Sequence, residues 1–189
     1  MKYETFTQLH TPRLLLRQLH PADAECYYSR IAGSEEVTKY MLWEPHKSLR
    51  ESEESITRVL SKYEQGRCYT WAIALRQDDS LIGRIDLLRF DEESNCCSFA
   101  YMLGKDFWGQ GFGTEVLTAV FAFAFEKMGI RSIAADHMSE NVASGKVMQK
   151  AGMRYVGRCA SKYEKCGKRY DADAYTITVD DWKRIIKHR

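Results

Sequence analysis

The segment YMLGKDFWGQGFGTEVLTAVFAFAF, residues 101–125, decides the fold, because an apolar strand runs into a glycine-rich turn and the turn opens directly into a helix. Gly109, Gly111 and Gly113 lack Cβ atoms, so the backbone can adopt positive φ and approach a ligand closely. The first N–H groups of the helix have no partner within it, and with the positive end of the helix dipole they attract an anion. The segment therefore predicts a phosphate pocket.

The glycine spacing differs from that of the two best-known phosphate loops. After Gly109 and Gly111, the dinucleotide fingerprint needs a glycine at position 114, where the chain has Thr114. No Lys-Ser/Thr pair follows to make a nucleotide triphosphate loop. The glycines alone leave a second interpretation open, in which they simply begin a helix.

A second segment, SENVASGKVMQKAGM (Ser139–Met153), predicts a helix that begins at polar caps and is closed by Gly152. Together the two segments resemble the GCN5-related N-acetyltransferase (GNAT) superfamily, whose signature is glutamine or arginine, two residues, glycine, one residue, then glycine or alanine. Trp108 occupies the first signature position here, which is similar to the ribosomal-protein N-terminal acetyltransferase branch (RimJ/RimL-like). The opening TPRLLLRQLHPADAE (Thr11–Glu25) and the late GKRYDADAYTI (Gly167–Ile177) also resemble that branch, so the resemblance covers nearly the whole chain.

Composition favours one domain, residues 1–189, large enough to bury a substantial core. Charged residues make up 29% and the net charge is +2, so no strong global field attracts nucleic acid or an anionic membrane. The chain has no apolar run near the roughly 20 residues that span a bilayer, and KYETFTQLH (residues 2–10) is too polar for a secretory signal. We expect a cytoplasmic protein with neither nucleic acid nor membrane as a partner, and leave monomer and homodimer open.

The cysteines predict reduced thiols, mostly buried, and no metal site. No CxxC pair occurs, adjacent cysteines would point to opposite faces of a strand, and the histidines are scattered as well. The six cysteines are Cys26, Cys68, Cys96, Cys97, Cys159 and Cys166.

Hydrophobic periodicity and turn residues predict a mixed α/β (α+β) domain. The expected strands are 13–19, 69–75, 81–90, 96–103, 132–137, 154–161 and 170–179. The expected helices are 22–31, 48–64, the one after the glycine turn, 139–151 and 182–187. The resemblance implies a mostly antiparallel central sheet of about seven strands flanked by helices, with a splayed parallel strand pair that forms the cofactor cleft.

The resemblance also implies which residues bind acetyl-CoA, the acyl donor of the family. The backbone of one strand end would pair with the pantetheine arm, the backbone of the glycine turn would hold the pyrophosphate, and one asparagine would bind the cofactor through its amide. These residues are Tyr101, Met102 and Leu103; Gln110, Gly111, Phe112, Gly113 and Thr114; and Asn141. Asn141 would serve equally well as a plain helix cap.

Acetyl transfer needs a neutral amine, a polarised thioester carbonyl and a proton for the leaving thiolate. By resemblance, Ser144 would protonate the thiolate, and Met148 stands where many other members have tyrosine. Ser144 could instead be an ordinary serine of the first helical turn. Ser98 stands where the related branch often has glutamate, so Asp86 and Glu164 are the candidates for the base. The alternatives are that Asp86 pairs with Arg84 or Arg89 and that Glu164 is a solvated turn residue. A lone strand histidine, His137, is expected to be packed in the core rather than to act as a base.

The leading hypothesis is an acetyl-CoA-dependent N-acetyltransferase in which a primary amine, from a protein N-terminus or a small molecule, attacks directly in a ternary complex. Trp43, Glu44 and Tyr163 would bind the acceptor, because aromatic surface beside an acid suits a cationic amine; Trp43 could instead cover the core. A ribosomal peptide, a polyamine, an amino acid and an amine antibiotic all remain open as acceptors. The alternative function is a non-catalytic acyl-CoA-binding sensor or interaction module.

Overall fold

The structure is a computed structural model that describes residues 6–65 and 69–187. Its strands are β1 (Leu9–His10), β2 (Leu14–Arg17), β3 (Thr70–Leu75), β4 (Leu81–Asp91), β5 (Cys96–Leu103), β6 (Ser132–Met138), β7 (Arg154–Lys165) and β8 (Lys168–Thr178). Its α-helices are α1 (Ala24–Tyr27), α2 (Glu35–Thr38), α3 (Leu49–Glu64), α4 (Phe112–Glu126), α5 (Val142–Lys150) and α6 (Val179–Lys187). Two 3₁₀ turns (Pro21–Asp23 and Lys105–Phe107) and a π-helical turn (Tyr28–Ala32) complete the described elements.

The strand order is β1-β2-β3-β4-β5-β6-β8-β7, and β5 with β6 is the parallel pair. The mixed, mostly antiparallel sheet predicted from the sequence is confirmed, with eight strands where about seven were expected because the two-residue β1 pairs with β2. Contacts divide the chain into two compact units. The first runs to Leu87 and includes Ala100–Phe112; the second comprises Leu88–Phe99 and the chain from Gly113 onward. That the whole chain is a single functional domain stays a prediction.

In the first unit, β2, β3 and β4 pair antiparallel, with Leu14 opposite Leu75 and Trp71 opposite Ile85. Large side chains of these strands are fully buried, and a second cluster is contributed by α1, α3 and the π-helical turn between α1 and α2. That cluster contains Leu19, Ala24, Tyr27, Ile31, Ile56, Val59 and Met102. The expected helix 22–31 is thus three short helical pieces, which together still bury one apolar face.

A buried arginine connects three parts of the first unit. Arg17 is only 7% exposed, and its guanidinium donates to both carboxylate oxygens of Asp23 at 2.8 and 2.9 Å. It also donates to Asp79 at 2.7 Å, in the turn between β3 and β4. Asp23 in turn accepts from the backbone N–H of His20 at 2.7 Å. Strand β2, the first helical turn and the β3–β4 turn are therefore held by one fork of charge-assisted hydrogen bonds.

In the second unit, Cys96–Ser98 of β5 pair with Ser132–Ala134 of β6, and β6 pairs along its full length with β8. The aromatic side chains of Phe125 and Trp182 connect α4 with α6 at 6.0 Å between ring centroids, and the Trp182 indole donates to Glu126 at 3.0 Å. Helix α6 begins at Val179, three residues before the predicted start. Thr178 and Asp181 cap each other there, since each side chain accepts from the other's backbone N–H.

The terminal hairpin is longer than predicted, with β7 running to Lys165 and β8 starting at Lys168. Its pairing is irregular at two places in β7, between Tyr155 and Gly157 and between Cys159 and Tyr163. None of the helices in the described ranges is long and apolar enough for a bilayer crossing.

The hairpin turn predicts a stabilising substitution. Cys166 (φ +50°) and Gly167 (φ +72°) are the two central residues between paired Lys165 and Lys168, which is the pattern of a type I′ turn. Asn tolerates positive φ better than cysteine does, so Cys166→Asn should raise the stability by roughly 0.5–1 kcal/mol, or a few degrees of Tm. Thermal unfolding measures it, and Cys166→Val is the control that should lower Tm. A lower Tm for the asparagine variant would contradict the turn assignment.

Candidate functional site

The glycine turn joins β5 to α4 as the sequence predicted. Gly109 has φ +73° and Gly111 has φ +82°, and α4 starts at the next residue, Phe112. Neither glycine has a crowded Cβ position: nothing lies within 4 Å at Gly109, and the nearest atom at Gly111 is Arg13 Nη2 at 3.5 Å. Gly113 differs from the expectation, because it lies buried in the first turn of α4 and not at positive φ.

Side-chain donors brace the carbonyls of this turn. The Trp108 indole N–H donates to the Leu103 carbonyl at 2.7 Å, and the Gln110 amide donates to the Asp106 carbonyl at 2.6 Å. Arg13, from the β1–β2 turn, donates through Nη1 to the Gln110 carbonyl at 3.0 Å. These bonds explain what tryptophan does at the first signature position. Arg13 was missed by the sequence analysis, because no local pattern links residues that are 97 positions apart.

The end of β5 lies close to β4. A Cβ on Gly83 would overlap the Met102 carbonyl oxygen, and the Gly104 N–H donates to the Ile82 carbonyl at 2.8 Å. Because backbone groups alternate sides along a strand, Tyr101 and Leu103 direct theirs away from β4. Met102 and Leu103 are buried and Tyr101 is half-buried. On that side the Leu103 carbonyl already accepts from Trp108, and pairing of these three residues with pantetheine stays a prediction.

Asp86, the first candidate base, is a buried and heavily bonded carboxylate. Its Oδ1 accepts from Thr70 Oγ1 at 2.5 Å and from Arg84 Nη2 and Nε at 2.8 and 3.1 Å. Burial alone would lower the pKa of Arg84, but the charge of Asp86, the nearby Tyr27 and hydrogen bonds to both raise that pKa above its ordinary value. Arg84 therefore stays cationic, and Asp86 forms the pair that the sequence offered as the alternative to a base.

The predicted acceptor residues of the first unit lie in the segment after α2. Trp43 is half-buried and packs on the His46 ring at 5.4 Å, while Glu44 is exposed. His46 Nδ1 is 2.7 Å from the hydroxyl oxygen of the fully buried Ser52. Burial lowers the pKa of His46, so this imidazole is neutral at pH 7. The segment thus has a fixed anchor at His46, and Trp43 is positioned by it.

The predicted acceptor residues of the second unit lie at the hairpin. Tyr163 of β7 is half-buried and has the Lys162 ammonium 5.7 Å from its ring centroid. Glu164 is exposed, and its carboxylate is 3.9 Å from Arg169 Nε. This arrangement is the solvated one that the sequence analysis named as the alternative for Glu164.

Helix α5 presents Asn141 and Ser144 at its first turn. Asn141 is the N-cap, and its side-chain oxygen accepts from the Ser144 N–H at 3.3 Å. The amide nitrogen of Asn141 carries two further donors. The Ser144 side chain is half-buried, whereas Met148 is 3% exposed and belongs to the core. The cap expected for Asn141 is present, and the cofactor role of its amide stays a prediction.

The imidazole ring of His137 lies against Gly145 of helix α5. Its Nδ1 donates to the Met138 carbonyl at 2.8 Å, and its ring stacks on Tyr175 at 5.6 Å between centroids. A Cβ on Gly145 of α5 would lie 2.8 Å from His137 Nε2 and 2.9 Å from the Tyr175 hydroxyl, so only glycine fits there without movement. His137 is thus a packed core residue, as expected.

Two ion pairs of the second unit were not anticipated. Arg158 of β7 binds Asp173 of β8 with two hydrogen bonds, at 2.7 and 2.9 Å. These bonds hold the pKa of Asp173 below its usual range, against the opposing effect of burial. Lys162 donates to Oδ2 of Asp136 at 2.5 Å, while Oδ1 of Asp136 is buried with no hydrogen-bond partner among the described residues.

None of the described cysteines forms a disulfide, and Cys68 lies outside the described residues. Burial raises the pKa of Cys97 to about 12, which keeps it protonated, whereas Cys159 and Cys166 are exposed. Within the described ranges, no group of three histidine, cysteine or acidic side chains is arranged to hold a metal ion.

Comparison with known proteins agrees with this geometry. Residues 13–154 match the family model of the acetyltransferase (GNAT) domain. The chain is 28% identical over 172 residues to the uncharacterized N-acetyltransferase YoaA of Bacillus subtilis, covering 91% of this chain and 97% of the relative. It is 24% identical over 183 residues to the [ribosomal protein uS5]-alanine N-acetyltransferase of Escherichia coli, covering 93% and 92%.

A solved structure shares the fold. The spermidine N-acetyltransferase of Vibrio cholerae, in complex with CoA and spermine, superposes with a TM-score of 0.78 at 17% identity. The match covers 92% of this chain and 99% of that protein. At this identity the likeness concerns the fold.

Stability against pH should reveal the Arg158–Asp173 pair. Because the folded-state pKa of Asp173 is lowered, the pair stabilises the protein above the unfolded-state pKa of aspartate, about 4, and this contribution is lost as the pH falls through the folded-state value. Arg158→Gln should lower Tm at pH 7 by roughly 1–3 °C, with the difference vanishing in acid. Lys146→Gln, on the exposed side of α5, is the charge control. A pH-independent difference would assign the effect to packing.

Proposed function

This chain belongs to the GNAT family of acetyltransferases, and from that premise we propose that it acetylates a primary amine, a peptide N-terminus or a small polyamine, by direct attack within a ternary complex. The observation that carries the proposal is the glycine turn between β5 and α4, where two positive-φ glycines precede the free N–H groups of a helix start. The acceptor class is supported by one relative named for a ribosomal-protein alanine and by a structural neighbour that contains spermine.

The turn fits the pyrophosphate of acetyl-CoA because it offers backbone amides, a helix N-terminus and little side-chain bulk. Gln110, Gly111, Phe112, Gly113 and Thr114 would hold that group. Tyr101 would pair with the pantetheine arm through its backbone groups directed away from β4, and Leu103 through its N–H, since the Leu103 carbonyl accepts from Trp108. The Asn141 amide would donate to the cofactor while its oxygen caps α5. When bound, acetyl-CoA supplies an electrophilic thioester carbon and a thiolate leaving group.

Three carboxylates are candidates for the base that accepts a proton from the acceptor amine. Asp86 already accepts three hydrogen bonds on one oxygen, and Glu164 is exposed to solvent. Asp136 has one oxygen paired with the Lys162 ammonium and one buried oxygen that lacks a partner among the described residues. A buried acceptor atom without a donor is costly unless a ligand supplies one. We therefore add Asp136 to Asp86 and Glu164 as a candidate base, and rank it first because its Oδ1 lacks a partner among the described residues.

Ser144 is proposed to protonate the leaving thiolate. When the amine nitrogen bonds to the carbonyl carbon and the carbon–sulfur bond breaks, the sulfur needs a proton. The backbone N–H of Ser144 makes the capping hydrogen bond to Asn141. The Ser144 hydroxyl can therefore donate to the sulfur without breaking that cap. A half-buried hydroxyl at a helix N-terminus is also in the favourable field for a developing anion.

The second candidate function is a non-catalytic CoA-binding module. It is favoured by Ser98, which stands where the related branch often has glutamate, and by Met148, which stands where many other members have tyrosine. Both functions require CoA binding, and they differ in turnover. Release of CoA from acetyl-CoA should be followed with a thiol reagent against peptide N-termini, polyamines and amino acids. If the protein binds CoA but releases none above the blank with any of these amines, the enzyme proposal is wrong and the non-catalytic binding module is supported.

Gly111→Asp is expected to abolish CoA binding, because the carboxylate would meet the pyrophosphate with both bulk and like charge. Isothermal titration with CoA measures the loss. Gly129→Asp is a matched control, since Gly129 is also exposed, at φ +70° and without a neighbour within 4 Å of its Cβ position. It should cost similar stability and keep CoA affinity. Unchanged affinity of Gly111→Asp would refute the loop assignment.

Ser144→Ala is expected to lower kcat by roughly ten- to a thousandfold while the Kd for CoA changes little, because one proton donor is lost. Steady-state rates with the acceptor found above measure kcat, and isothermal titration measures the Kd for CoA. Val142→Ala, on the exposed side of the same helical turn, is the control. A fully active Ser144→Ala enzyme would show that solvent protonates the thiolate.

A further inference from the structure

We infer that Arg13 is a positioning residue for the cofactor's pyrophosphate, which it serves by holding the glycine turn in its binding conformation from outside. The inference rests on the proposed function, because it requires that turn to bind the pyrophosphate. Arg13 lies in the turn between β1 and β2, directly before the apolar run that begins at Leu14. It is not part of the glycine signature.

The guanidinium of Arg13 contacts Gln110 and Phe112 and lies beside Gly111 between them. Nη1 donates to the Gln110 carbonyl at 3.0 Å, Nη2 lies 3.5 Å from the position of a Cβ on Gly111, and the guanidinium carbon is 4.1 Å from the centroid of the Phe112 ring. One planar group thus bonds the carbonyl before Gly111 and stacks on the first residue of α4. The dihedral freedom of glycine at the centre of this stretch is restricted from both sides.

The other two hydrogen bonds that support the turn are local in sequence. Trp108 bonds Leu103, the last residue of β5, and Gln110 bonds Asp106, so each joins residues four or five positions apart. Arg13 instead connects the loop to the strand layer of the first unit. A side chain anchored outside the loop restricts loop conformations that local contacts still allow. The loop then loses less conformational entropy when a ligand binds, which favours binding.

The base of the Arg13 side chain is fixed. Leu14 is fully buried, and its N–H donates to the Thr11 hydroxyl at 2.8 Å. The backbone N–H of Arg76 donates to the Arg13 carbonyl at 3.0 Å, and the Arg76 guanidinium donates to the Thr11 carbonyl at 3.0 Å. The β1–β2 turn is therefore a rigid platform. Arg13 reaches the glycine turn from that platform, and Arg76 fastens the platform without contacting the glycine turn in any described bond.

The test is CoA affinity by isothermal titration, with 3′-dephospho-CoA as a second probe that keeps the pyrophosphate. Arg13→Ala should weaken both ligands equally, by roughly ten- to thirtyfold, the size expected for one charge-assisted hydrogen bond. Its kcat at saturating acetyl-CoA should stay within about twofold of wild type while KM rises. Arg50→Ala, which removes an exposed arginine of α3 that pairs with Glu54, is the control and should keep wild-type CoA affinity.

Wild-type affinity in Arg13→Ala would overturn the inference, as would a larger loss for CoA than for dephospho-CoA, which would place Arg13 at the 3′-phosphate. Arg13→Lys keeps the charge without the planar fork and should stay within about threefold of the alanine variant; full recovery by lysine would show that charge alone acts and would also overturn a positioning role. A wild-type protein that binds neither ligand would overturn the proposed function itself, which separates the two failures.

Discussion

The positive φ angles of two glycines in the turn between β5 and α4 are the constraint on which this part of the structure depends. Two positions, Gly109 and Gly111, hold φ values of +73° and +82°, which other L-residues reach only with strain. Because the chain can turn there, the apolar strand ends at Leu103 and a helix begins at Phe112. The indole of Trp108, the amide of Gln110 and the guanidinium of Arg13 then occupy the carbonyls that the turn leaves without strand or helix partners.

Two arginines near the start of the chain have different roles. Arg17 and Asp23 form a buried bidentate pair that also includes Asp79, so a strand, a helix start and a turn are held together by one cation. Removal of either partner would leave an uncompensated buried charge, which proteins tolerate poorly. The first arginine of the same motif, Arg13, points to the glycine turn instead. The pattern TPRLLLRQLHPADAE thus combines a structural arginine with one directed at the site.

Local features were predictable from the sequence, and contacts between distant residues were not. The strand, turn and helix around Gly111 follow from residues within one segment, and so does the cap at Asn141. The start of α6 was also readable from the Thr178–Asp181 capping pattern, but the prediction followed the apolar residues and placed it at Trp182. In contrast, Arg13 with Gln110 and Asp136 with Lys162 are joined only by the fold, so no periodicity or motif could pair them. Likewise, no local pattern shows that His137 and Tyr175 occupy the space where a Cβ on Gly145 would lie.

The irregular pairing of β7 has a consequence for the behaviour of the protein in concentrated solution. β7 is a 12-residue strand at the end of the strand order, and an uninterrupted edge of that length is a template on which other chains can add strands. The register shifts beside Gly157 and between Cys159 and Tyr163 break the regular spacing of backbone donors and acceptors along that edge. The chain can therefore keep a long hairpin while the edge is a poor nucleus for cross-β aggregation.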